Sequence, residues 1–131
     1  MKMLVSWTIL IDGITSGGSQ YAESWDDVCP YLTKLREQAG TVCLDLVDAP
    51  DPGPISMQLV AENRIYLVTL LEATDDDTYV RSYTNPAALS EMVEVLGDRW
   101  DARQLTHDFE LVMQIFKEFC DSGEVSRQWL S

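Results

Sequence analysis

Apolar residues recur along this chain with two periods, and the longest segments of each period predict how it folds. From His107 to Asp121, Phe109, Val112, Met113, Phe116 and Cys120 recur at helical spacing, which predicts an amphipathic helix closed by Gly123. One helix cannot bury such a stripe alone, so the period-two segments earlier in the chain are its natural partners. From Met3 to Ile11, Val5, Trp7, Ile9 and Ile11 alternate with Ser6, Thr8 and Leu10, which predicts a first strand ended by Asp12-Gly13. The small-residue stretch Thr15 to Gln20 reads as a connector.

Ser24 stands as an N-cap before Trp25-Asp26-Asp27-Val28, with Asp27 at the capping-box position. The helix expected there runs to about Gln38, buries Trp25, Val28, Cys29, Leu32 and Leu35, and is ended by Gly40. Further strands are expected at Thr41 to Asp48, Ile55 to Ala61, Ile65 to Leu71 and Tyr79 to Tyr83, with Glu62-Asn63-Arg64 as a hairpin loop. Ile65 to Leu71 is apolar on both faces, as suits a central strand. Asn85-Pro86 reads as the start of another helix, with Leu89, Met92, Val93 and Leu96 on one face before Gly97. Asp98 to Leu105 reads as a polar connector, and Thr106 as the cap of the last helix. The tail is expected to dock through Val125 and Trp129. The expected fold is α+β, a single domain over 1–131: about five mainly antiparallel strands packed by about three helices, the C-terminal one central.

Charge narrows the function classes. Twenty-two acidic residues face nine Lys and Arg, a formal net charge of -13. Binding to nucleic acid or to an anionic membrane is disfavoured, because the few cations are scattered singly. A basic protein, a cationic ligand or a metal is attracted instead, although acidity also serves solubility alone. The three cysteines, Cys29, Cys43 and Cys120, have no Cys-x-x-Cys spacing and read as buried free thiols, with the cytoplasm as the default compartment. The N-terminal apolar run is too short for a membrane span and poorly suited to a signal peptide.

Catalytic signals are sparse. The sole histidine, His107, could transfer protons with Asp101 or Glu110 nearby, but a first-turn histidine is more often a surface or capping residue. No Ser stands in a Gly-x-Ser-x-Gly frame, and no cofactor motif is present. Asp75-Asp76-Asp77 lacks the glycine and terminal glutamate of a calcium loop, and one His with scattered Cys argues against a transition-metal site. Trp25, Trp100 and Trp129, set at element starts or in polar segments, suit either a basic partner or the pinning of loops to the core.

Ser24-Trp25-Asp26-Asp27-Val28, Gly40 with Val42, Leu44 and Leu46, Gly97-Asp98-Arg99-Trp100, and Asp108-Phe109 through Phe116, Phe119 and Gly123-Glu124-Val125-Ser126 together resemble a known pattern. It is that of small bacterial immunity proteins encoded beside polymorphic or contact-dependent growth inhibition toxins, and of a related uncharacterised family of similar length. The resemblance implies a non-catalytic cytoplasmic protein whose acidic surface plugs a basic toxin domain, a nuclease in the typical case. It transfers no functional residues, since each immunity protein suits its own toxin. The carboxylates best placed on loops beside a sheet edge are Glu72, Asp75, Asp76 and Asp77, then Asp48 and Asp51. Competing expectations are a small enzyme or ligand-binding domain built on His107, and a subunit that self-associates as a homodimer.

Overall fold

A computed structural model describes residues 1–131. In chain order the strands are β1 (Met3–Ile11), β2 (Ile14–Ala22), β3 (Ala39–Leu46), β4 (Gly53–Glu62), β5 (Ile65–Ala73), β6 (Thr78–Ser82), β7 (Met92–Val95), β8 (Asp98–Asp101) and β9 (Leu105–Thr106). Helix α1 (Trp25–Lys34) lies between β2 and β3, and α2 (Phe109–Ser122) follows β9. The main sheet has the order β2-β1-β3-β4-β5-β6, with β9 pairing β5, and each of its pairings is antiparallel. The α+β class and the antiparallel sheet agree with the sequence reading. The element count differs: two α-helices and nine strands stand where about three and five were expected.

One face of the sheet carries the core. Met3, Val5, Val42, Leu44, Met57, Leu59, Val68 and Leu70 are buried there against Val28 and Leu32 of α1 and Val112, Ile115, Phe116 and Phe119 of α2. These positions alternate along each strand, because successive side chains point to opposite faces. Burying a ring such as Phe116 or Phe119 completely contributes about 2–3 kcal/mol. The C-terminal helix is therefore a principal cover of the sheet, and its limits follow from capping. Asp108 accepts a hydrogen bond from the Leu111 amide at 3.2 Å, and Gly123, at φ +75°, donates to the Phe119 carbonyl at 2.7 Å.

Five expectations are corrected. The stretch Thr15 to Gln20 is not a loop but most of β2, paired without a break along β1. Asp12 (φ +51°) and Gly13 (φ +77°) make the two-residue turn whose twist matches a hairpin, and Asp-Gly after an alternating run was the signal for it. The helix expected after Asn85-Pro86 is instead the β7–β8 hairpin, turning at Leu96 (φ +50°) and Gly97 (φ +87°). Leu89, assigned to its buried face, is 80% exposed, while Val93 and Val95 alternate toward a small second core with Leu67, Leu105 and Trp100. Gly40 does not end α1, which stops at Lys34 rather than about Gln38; it lies within β3. Finally, Ser24 makes no side-chain cap bond, the Asp27 carboxylate accepting from the Glu23 amide at 3.1 Å, and Asp108 caps α2 in place of Thr106.

Candidate functional site

The loops that carry the sequence-selected carboxylates are neighbours because of strand register. Gly53 of β4 pairs with Ala73 of β5, so the β3–β4 connection (residues 47–52) and the β5–β6 connection (residues 74–77) leave the same end of the sheet. Pro52 and Gly53 from one side and Thr74 and Asp75 from the other line a shallow cleft of about 350 Å³. Asp48, Asp51, Asp75, Asp76 and Asp77 are all exposed. The second loop is held tightly: the Thr74 amide donates to the Asp77 carbonyl at 2.7 Å, and the Asp77 amide to Thr74 Oγ1 at 3.2 Å. Asp77 Oδ1 also accepts from the Thr78 amide at 2.8 Å, which leaves Asp75 and Asp76 as the carboxylates that this loop presents outward without a hydrogen bond.

Glu72 departs from the expected set. It is 14% exposed, with Oε1 3.5 Å from Arg81 and Oε2 3.3 Å from Arg127. Its charge is already matched, so it holds the fold rather than offering a free carboxylate. Asp48 lines a separate cleft of about 280 Å³ with Lys2, Pro50 and Gly123.

Across the molecule the acid excess is largely unpaired. Six of the 22 acidic residues (Glu37, Glu72, Asp101, Glu110, Asp121 and Glu124) share ion pairs, which leaves sixteen carboxylates with no cationic partner. Asp101 is the most perturbed of those paired: hydrogen bonds from the Arg103 side chain and amide hold its carboxyl at about 2. Its charge is taken up locally by Arg103.

His107 lies at an exposed position on the rim of a cleft of about 520 Å³ lined also by Ile65, Tyr83, Leu89, Glu91, Val93 and Leu105. Its Nδ1 is 3.2 Å from the Arg64 carbonyl oxygen. The carboxylates expected as its companions are engaged elsewhere, Asp101 with Arg103 and Glu110 with Arg36, and the adjacent Asp108 caps the helix. The thiols are free but not uniformly buried. Cys120 is buried, and desolvation first, then the nearby Asp121 charge, pushes it up to about 12. Cys29 and Cys43 are half-exposed, Cys43 on the sheet face away from the helices, where burial also raises its pKa. No group of three or more His, Cys, Asp or Glu side chains is placed to hold a metal ion, and no helix is long and apolar enough to cross a membrane. Trp25 and Trp129 pack against the main core and Trp100 against the small one, each half-buried.

Sequence reasoning missed Arg81, read only as an alternating strand position. It is 3% exposed, with Nη1 2.7 Å from Glu124, Nη2 2.7 Å from the Val125 carbonyl and 3.0 Å from the Leu130 carbonyl. Nothing local marks such a residue, because apart from Glu72 its partners, Glu124 and the Val125 and Leu130 carbonyls, lie more than forty positions away.

A crystal structure of a hypothetical protein from Neisseria gonorrhoeae is similar in fold, with a TM-score of 0.81 at 15% identity over 95% of this chain and 90% of that one. No curated protein matches the chain. A family model described as a family of unknown function, DUF6911, matches residues 6–129, nearly the whole of the folded unit, and the chain belongs to that family.

Proposed function

We propose that this protein is a non-catalytic inhibitor of the immunity type, which binds a basic partner protein, a nuclease toxin domain in the expected case, through exposed carboxylates. The observation that carries the reading is the acid excess: sixteen unpaired carboxylates, with Asp48, Asp51, Asp75, Asp76 and Asp77 on two adjoining loops at one end of the sheet. A nuclease gathers Lys and Arg to hold phosphates, and rigidly held carboxylates replace those phosphates with charge-assisted pairs while steering association. In this reading the protein acts in the bacterial cytoplasm, with which its three free thiols accord.

The test is titration with the basic toxic domain encoded by the neighbouring gene, across a range of salt. The complex is expected to weaken as salt rises, and joint replacement of Asp48, Asp51, Asp75 and Asp76 by Asn is expected to slow association about tenfold or more. Failure to bind the domain or to protect a cell from it defeats the proposal. Unchanged association by the folded Asn variant moves the contact away from these loops.

A second reading, a small enzyme or ligand-binding domain, draws on the 520 Å³ cleft beside His107 and Glu91. An activity or ligand affinity that His107→Ala removes without unfolding the protein would favour it.

A further inference from the structure

We infer that two copies of this chain join edge to edge through β2, in antiparallel register about Gly18, to form one sheet that runs through both. The two outer edges of the sheet differ in how they are closed. At the end of β6 the C-terminal tail closes the edge, with an antiparallel bridge between Tyr83 and Leu130 and reciprocal backbone hydrogen bonds between Ser82 and Ser131 at 3.4 and 3.3 Å. Nothing lies beyond β2, a nine-residue strand exposed at every position but Ala22. Exposed edges are normally blunted by lysine, proline, a bulge or a covering segment. Residues 13–22 contain no proline and no charged side chain, and the pairing with β1 runs from Met3–Ala22 to Ile11–Ile14 without a register shift.

The occupant follows from charge and register. In a chain of net charge -13, identical surfaces repel nearly everywhere, and this uncharged strand is where two copies can approach without opposing carboxylates. Because a two-residue turn makes Ile11 and Ile14 a hydrogen-bonded pair, the even-numbered residues of β2 bond to β1. The N–H and C=O groups of Thr15, Gly17, Ser19 and Tyr21 therefore point outward. A two-fold axis at Gly18 sets Thr15 opposite Tyr21 and Gly17 opposite Ser19 of the second copy, with about eight backbone hydrogen bonds across the axis. In that register Asp12 faces Ser24 and Glu23 faces Gly13, so the acids that flank the strand do not oppose one another. The strand is thus complementary to itself.

The full chain, examined by analytical ultracentrifugation over a range of concentration and salt, is expected to show a species of twice 14.8 kDa that strengthens as salt screens the acidic repulsion. This salt response is opposite to that of the proposed complex with a basic partner, so the two readings fail separately. Ser19→Pro removes an outward amide that an edge strand does not use within one copy, and is expected to weaken the dimer at least tenfold while the circular dichroism stays unchanged. A monomer at every concentration and salt overturns the inference, as does a dimer of wild-type strength in the folded variant. Amide exchange on the wild-type protein decides independently of any variant. Protection of Thr15, Gly17, Ser19 and Tyr21 that rises with protein concentration is expected, and its absence overturns the assignment.

Discussion

At position 81 a guanidinium is almost wholly withdrawn from water, and its hydrogen bonds show what it does. It ties β6 to the tail through the Val125 and Leu130 carbonyls and balances Glu72 and Glu124. Arg81→Ala leaves those carbonyls without their donor and Glu72 without its buried partner, so a loss of about 3–5 kcal/mol is expected in urea denaturation; less than 1 kcal/mol would deny it the role. Glu124 adds a pH dependence. Burial acts to raise its pKa, but the Val125 amide and the Arg81 guanidinium outweigh that and hold it below the usual 4.5. A carboxyl whose folded pKa is depressed contributes stability above its unfolded pKa and loses it as pH falls through the folded value. Tail docking is therefore expected to be intact above about 4.5 and to weaken below it, visible as faster exchange of the Ser131 amide before the sheet opens.

At the scale of elements, three hairpins turn on pairs of residues at positive φ: Asp12-Gly13, Asn63-Arg64 and Leu96-Gly97. Only the second was expected as a hairpin. The other two were legible in principle from Asp-Gly and Leu-Gly-Asp, but Ser16 to Gln20 lacks the β-branched and aromatic residues that mark a strand, and 89, 92, 93 and 96 fit a helical face equally well. A short apolar run does not choose between periods; pairing with β1 and burial against Leu67 do. Gly40 makes the same point inside β3. The glycine was read as a helix stop, yet the requirement is close approach, since a Cβ there would lie 2.1 Å from the Thr8 carbonyl oxygen and 3.0 Å from Leu35. Gly40→Ala is expected to cost about 3 kcal/mol through this clash, and a thermal midpoint unchanged from the wild type would show that β1 and β3 separate easily.

For the whole molecule, charge is the dominant field. With sixteen unpaired carboxylates on 131 residues, self-repulsion opposes the compact state, and monovalent salt is expected to raise the thermal midpoint by screening it. A midpoint that falls with salt would mean that the ion pairs of Arg36, Arg64, Arg103 and Lys117 outweigh the repulsion. Those pairs are largely exposed and individually weak, which favours the first outcome.

The sequence by itself determined the α+β class, the antiparallel sheet, the buried stripe of α2 with its Gly123 stop, and the acidity, because periodicity, capping and charge are local or additive quantities. It also named Asp48, Asp51, Asp75, Asp76 and Asp77 as loop carboxylates. Only the tertiary structure decided that their loops adjoin, that Glu72 is already paired, that Arg81 is buried, and that β2 is an open edge. Each of these depends on which distant segments meet, and strand register sets that through the summed burial of the whole core.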